Sequence, residues 1–283
     1  MHCPVCLSMK TKPCFGWQDY PLDRCMRCSH LFVAKSIPDT ELGAAYGQDY
    51  YVATGPDGNG PTYDNYMSNY DRRLLGFRRW YRDAAKLTGP PGRSLDYGCA
   101  IGVAVKAAEE SGWKAIGYER SRWAVEFGRK TLEANLIHGD GTTDPFGPES
   151  FDLVTMFDVV EHLQEPRLII GRARQWLPVG GWIAITTVNS SSLGARLAGK
   201  SWRHIAPPFH LQYFNRRSLT YLLRAHGFEP RRIHFRGPVL RARRDQGRTF
   251  LLDSIDAVLM NWRLQRVPFG DEIEVIAQRI QGS

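Results

Sequence analysis

A mostly parallel β-sheet with helices on both faces, preceded by a small cysteine-rich module, is the architecture expected of this chain of 283 residues. Three features predict it. The segment Leu95 to Gly102, LDYGCAIG, reads as a strand carrying an acid, Asp96, into a tight glycine turn. A second strand reaches Glu119 in GYERS, 23 residues after Asp96. At the front stand Cys3-x2-Cys6 and Cys25-x2-Cys28, separated by 18 residues. In open parallel sheets ligands bind beyond the carboxyl ends of the strands, and an acid about 20 residues past the glycine turn meets ribose hydroxyls. Glu119 stands in that place, so the sheet is expected to carry a nucleotide-type pocket.

From the N-terminus onward, the two Cys-x2-Cys knuckles offer four thiolates to tetrahedral zinc in a closed structural site. Disulfides are the competing reading, and the paired knuckles with no secretion signal favour the metal. Cys14 is left over, Cys99 reads as a small space-filling residue, and His2 and His30 as bystanders. Residues 1–45 cannot bury much core, so zinc would supply their folding free energy. Residues 46–91 follow as linker and helical lid. GPDGNGP at 55–61 is loop chemistry, and Tyr63 to Leu87 carries Tyr66, Tyr70, Leu74, Phe77 and Tyr81 at spacings of three and four, a helix with one aromatic face. The main domain takes residues 92–283. Its first elements are a strand at Ser94–Tyr97, a helix at Val103–Ser111 and a strand at Trp113–Tyr118 that ends on Glu119. Gly181–Asn189 is a continuous apolar run and reads as a buried strand, and Glu272–Arg279 as the last one. Residues 237–270 form an insertion. Its arginine-rich start leads into Thr249–Trp262, where Leu251, Ile255, Val258, Leu259 and Trp262 share a helical face. That face suits packing on its own domain or on a twin subunit, with peripheral membrane contact through residues 231–266 as the alternative.

The glycine register separates two cofactor classes. A dinucleotide GxGxxG starting at Gly98 needs glycine where the chain has Ala100 and Val103. The pattern GxGxG finds Gly98, Ala100 and Gly102, two of three. With the acid before the turn, the chain resembles the class I S-adenosylmethionine-dependent methyltransferases. Ala100 departs from their pattern, because its methyl group narrows the backbone's approach to the cofactor. The resemblance covers residues 92–236. LIHGD at Leu136–Asp140 is similar to the third strand and the acid that meets the adenine amino group. FDLVTMFDVVEHL at Phe151–Leu163 resembles the fourth strand and the motif after it, and Pro207–Phe228 the segment between the fifth strand and the next helix. The implied fold is a Rossmann-like seven-stranded sheet. YGQDYY at Tyr46–Tyr51, ahead of the main domain, is similar to a segment of ribbon-bearing bacterial methyltransferases that act on sugars and secondary metabolites.

The resemblance implies a site as well. Asp96, Gly98, Cys99, Ala100, Gly102, Glu119, Asp140 and Phe157 would contact S-adenosylmethionine, with Tyr66 and Tyr70 closing over it. Asp158, Glu161 and His162 would face the methyl acceptor, joined by His210 from the loop after the fifth strand. Methyl transfer from a sulfonium is an in-line displacement, and a hydroxyl acceptor must also lose a proton. A histidine can take it. Asp158-x-x-Glu161-His162 also resembles an acidic cluster that binds a divalent cation in some quinone and small-RNA O-methyltransferases, which leaves a metal as the alternative.

Composition limits the partners. Hydrophobic residues make up 43% and the net charge is +8, with arginine far exceeding lysine. No apolar run is long enough to span a bilayer, so a cytoplasmic protein is expected. The positive charge permits nucleic acid, anionic lipid or phosphorylated metabolites without selecting one. The fourth strand is followed by neither an Asn/Asp-Pro-Pro-aromatic motif nor a Pro-Cys pair, which argues against base-amine or pyrimidine-ring methylation of nucleic acid. A small-molecule, sugar or glycan acceptor methylated at oxygen is the expectation. A zinc-ribbon RNA methyltransferase and a non-catalytic cofactor-binding protein are the alternatives. Monomer and homodimer both remain open.

Overall fold

A computed structural model of the chain describes residues 1–38, 69–139, 141, 143–237 and 270–281. Tyr66, Asp140, the YGQDYY and GPDGNGP segments and nearly all of the 237–270 insertion lie outside the described residues. In chain order the strands are β1 (Thr11–Trp17), β2 (Tyr20–Cys25), β3 (Leu31–Val33), β4 (Arg93–Tyr97), β5 (Lys114–Glu119), β6 (Leu136–His138), β7 (Leu153–Phe157), β8 (Trp182–Val188), β9 (Gln212–Tyr213), β10 (Phe228–Arg236) and β11 (Glu272–Arg279). The helices are α1 (Tyr70–Thr88), α2 (Val103–Glu110), α3 (Arg122–Leu132), α4 (Pro166–Trp176), α5 (Leu193–Ala198) and α6 (Arg216–Arg224).

Seven strands form one sheet in the order β10-β11-β8-β7-β4-β5-β6. β4 pairs in parallel with both β5 and β7, β5 in parallel with β6, and β10 antiparallel with β11. The chain order reverses at β4, which makes the gap between the ends of β4 and β7 the switch point where such sheets bind ligands. Central strands are covered on both faces, and β7 and β8 accordingly read as near-continuous apolar runs rather than alternating ones. The second sheet has four strands, β1-β2-β3-β9, all antiparallel. Its fourth strand comes from residues 212–213, so the cysteine-rich module completes its sheet with a strand far along the chain.

The fold divides into two compact units. One comprises Pro38–Phe157 and Arg172–Ile183. Within it α1 buries Leu74 and Tyr81 as the periodicity indicates, and Phe77 and Trp80 pack on Phe157 with ring centroids 5.0 and 4.9 Å away. Helix α2 is rich in alanine and buries Val103, Ala104, Val105, Ala107 and Ala108. Gly102 starts it in the left-handed conformation, with φ of 89°. An added Cβ there would lie 2.9 Å from both Ala134 and Leu136, so glycine is required for space as well as for angle. The other unit comprises Met1–Ile37, Asp158–Gly171 and Ala184–Ser283.

Candidate active site

On the cofactor side, two buried carboxyls stand at the ends of adjacent parallel strands. Asp96, 5% exposed, accepts a 2.7 Å hydrogen bond from the Thr155 hydroxyl of β7, across the switch point. Burial pushes Asp96 up to about 7, and the nearby Glu119 charge adds to it against the Thr155 hydrogen bond. Glu119, 6% exposed, accepts from the main-chain N–H groups of Ala100 (3.0 Å) and Ser121 (2.8 Å). It therefore ties the glycine turn to the start of α3. Ala100 sits at φ of 50°, a left-handed conformation that costs an alanine roughly 1 kcal/mol and explains why the family pattern has glycine here. Cys99 packs where an added Cβ on Gly117 would come within 2.5 Å of its sulfur, and burial raises its thiol well above the usual value. Its sulfur fills the space beside Gly117. The chemistry of this corner fits S-adenosylmethionine: two buried carboxyls, both raised by burial, suit a ligand bearing hydroxyls and positive charge.

The acid and histidines gather in the other unit. Asp158 directly follows β7 in a left-handed conformation, φ of 57°, uncommon for a residue other than glycine. Its carboxylate accepts from the Thr186 hydroxyl at 2.8 Å. Glu161 is 1% exposed and accepts a 2.8 Å bond from the Thr187 hydroxyl, and burial followed by the Asp158 charge holds its carboxyl well above the usual range. His162 donates from Nδ1 to the Phe209 carbonyl, and His210 from Nδ1 to the His204 carbonyl, both at 2.8 Å. A carbonyl can only accept, so the neutral His210 ring is fixed as the Nδ1–H tautomer with Nε2 left as an acceptor, while the His162 ring also meets the Asp158 carbonyl. The rings lie 4.9 Å apart. Burial lowers His162 to about 4 and His210 to about 3, so both are neutral at physiological pH. Ligating atoms of Glu161, His162 and His210 all lie within 4.8 Å of one another. Three of the four expected acceptor-side residues thus form one group, and Asp158 is held beside Thr186.

Two neighbours carry no sequence signal. His204, in the irregular stretch before β9, stacks on His210 at 6.0 Å and has a buried Nε2 with no hydrogen-bond partner. Glu272 opens β11, and burial with the Asp158 charge pushes it up to about 7. Nothing local marks either.

The cysteine module also forms a group of four. Sγ atoms of Cys3 and Cys28 lie 3.6 Å apart and those of Cys6 and Cys25 3.4 Å, with all four cysteines free and buried. Tetrahedral zinc thiolate with bonds of about 2.3 Å places sulfurs roughly 3.8 Å apart, whereas a disulfide needs about 2.05 Å. The knuckles are built alike. Leu7 and Ser29, the residues after each pair, are left-handed at φ of 58° and 61°. Their N–H groups return to Cys3 O at 2.9 Å and Cys25 O at 3.0 Å. His30 is not in the group, and its Nε2 instead meets Gln212.

A separate cavity of 940 Å³ in the second unit is bounded by Arg216, Arg217 and Arg224 of α6, by Tyr221, and by Ile233 and Phe235 of β10. Among the described residues no helix is long and apolar enough to cross a membrane.

The sequence family described as "Methyltransferase domain" matches residues 67–233. The chain is 26% identical over 127 residues to the ubiquinone biosynthesis O-methyltransferase of Thiobacillus denitrificans, covering 42% of this chain and 53% of that protein. It is 25% identical over 146 residues to the demethylmenaquinone methyltransferase of Renibacterium salmoninarum, covering 50% and 61%. The chain therefore spans about half the length of the curated relatives it matches. A SAM-dependent methyltransferase from Archaeoglobus fulgidus superposes with a TM-score of 0.54 at 19% identity, over 76% of this chain and 99% of that one.

Proposed function

The chain belongs to the methyltransferase-domain family; from that premise we propose that it is a class I S-adenosylmethionine-dependent enzyme that methylates an oxygen of a small-molecule, sugar, glycan or lipid-linked acceptor. The observation that carries the proposal is the group of Glu161, His162 and His210 within 4.8 Å, immediately after the strand whose family counterpart ends at the acceptor. In the reaction an acceptor oxygen attacks the methyl carbon, the S–CH₃ bond breaks with its electrons staying on sulfur, and the acceptor proton must leave. His210, with Nδ1 already committed to a carbonyl, presents Nε2 to that proton; burial that holds it down at about 3 makes it a weak base, so its contribution rests on orientation as the sulfonium charge disappears. The same three side chains suit a divalent cation, since two neutral imidazoles oriented by carbonyls and one carboxylate make a common ligand set. A cation held there would lower the pKa of a bound hydroxyl. The names of the relatives, both quinone-pathway methyltransferases, favour a small acceptor over RNA.

We assign S-adenosylmethionine to Asp96, Glu119 and the loop of Gly98, Cys99, Ala100 and Gly102, with Phe157 and Tyr70 as further contacts, and structural zinc to Cys3, Cys6, Cys25 and Cys28. The test uses methyl-labelled S-adenosylmethionine with a panel of catechol, sugar and phenol acceptors. Replacing His210 or His162 by alanine is expected to lower turnover by roughly a hundredfold while leaving cofactor affinity unchanged, because the lost interaction belongs to the transition state. A chelator that stops turnover without removing ribbon zinc selects the cation. Undiminished turnover in the double histidine variant, with no chelator effect, would overturn the role of the group.

A further inference from the structure

The cysteine module grips both stretches of chain that carry the acid and histidines. Before the group, Ile37 N–H donates to Gln164 Oε1 (3.1 Å) and Gln164 Nε2 donates back to Ile37 O (2.9 Å), while Arg167 reaches the Val5 carbonyl beside the first knuckle (2.9 Å). On the other stretch, β3 pairs with β9 two residues past His210, and Val33 N–H donates to Leu211 O at 2.9 Å. Gln212 joins the two. Its main-chain N–H donates to the Glu161 carbonyl at 2.9 Å, and its side-chain Nε2 donates to Leu163 O at 2.9 Å. Its Oε1 meets His30 Nε2, also at 2.9 Å. An amide oxygen only accepts, so His30 donates. Gln212 is 4% exposed and His30 fully buried, two residues beyond Cys28.

We infer that Gln212 is a positioning residue: with His30 it carries the geometry of the second cysteine knuckle to Glu161, His162 and His210, which makes the ribbon a working part of the methyl-transfer site. The inference rests on the acceptor-side role proposed for that group. A plain packing contact would not need this chemistry. A buried polar pair is costly, the more so because His30 Nδ1 has no hydrogen-bond partner among the described residues, and an apolar pair of similar size can hold two strands together equally well. What the amide adds is direction. It fixes the main chain on both sides of the group at once, and displacements of about 1 Å at reacting groups can cost a hundredfold in rate.

The test needs no knowledge of the acceptor. In the ¹⁵N-labelled full-length, zinc-loaded protein, long-range ¹H–¹⁵N spectra report the tautomers of His162 and His210. The wild type is expected to show one defined set of signals for each ring, with His210 as Nδ1–H. Gln212→Leu and His30→Phe are each expected to shift these signals toward mixed tautomers with zinc content and S-adenosylmethionine affinity unchanged, and His30→Gln, which keeps a donor for Gln212, to restore them. Ejecting the ribbon zinc should produce the same change. Unaltered ring signals in folded, zinc-loaded Gln212→Leu would overturn the inference, and if that variant does not fold, unaltered signals in His30→Phe would do so. These outcomes are separate from the proposed chemistry, because that reading fails on turnover of the histidine variants while the ring signals report the coupling alone.

Discussion

Asp96, in its proposed place beside the cofactor, would set a condition on cofactor binding. Burial pushes it up to about 7, so below that pH the free protein holds it largely protonated. The sign follows from linkage: between the ordinary carboxylate value and 7 the folded state binds more protons than the unfolded one, so this group lowers stability as pH rises through that window. A cationic cofactor reverses the preference, because it favours the carboxylate. Affinity for S-adenosylmethionine is therefore expected to rise by up to roughly tenfold in all between pH 6 and pH 8, and calorimetry on Asp96→Asn should show the dependence gone. A flat profile in the wild type would count against this role. Ala100 gives a second test of the same loop. Its left-handed backbone makes Ala100→Gly expected to raise stability by about 1 kcal/mol in chemical denaturation, offset in part by the entropy glycine adds to the unfolded chain. The sequence marks Ala100 as a departure from the family pattern, but its angle is not legible there, because alanine by itself prefers negative φ.

The elements differ in how openly the sequence declares them. β4, α2, β5 and β8 emerge within one or two residues of their sequence-derived bounds, since a buried parallel strand is a short apolar run and a glycine turn fixes where the next helix begins. The four-stranded sheet of the ribbon is not legible. β9 has two residues, and only its pairing with Leu31 and Phe32 makes it a strand. For the same reason Gln212, His204 and Glu272 escape sequence reasoning: their neighbours are distant in the chain. The metal knuckles are the opposite case, because cysteine spacing alone sets their chemistry. Purified protein is expected to carry one zinc per chain, with Cys25→Ser losing it and weakening the β3–β9 pairing, read as faster hydrogen exchange at Leu31 and Tyr213. Zinc absent from protein kept reduced, or those four cysteines found in disulfides, would contradict the assignment.

Across the chain, charge and cofactor chemistry lead to different partners. The net charge of +8 selects no ligand by itself. The family, the switch point between β4 and β7 and the two buried carboxyls all converge on the methyl donor, and its placement is the central claim. Titration calorimetry of S-adenosylmethionine into wild type and Glu119→Ala tests it most directly. The account predicts saturable binding to the wild type and at least tenfold weaker binding to the variant, through lost ribose hydrogen bonds and a released Ala100 loop. Equal affinity in the two proteins, or tight binding of NAD with no response to S-adenosylmethionine, would contradict it.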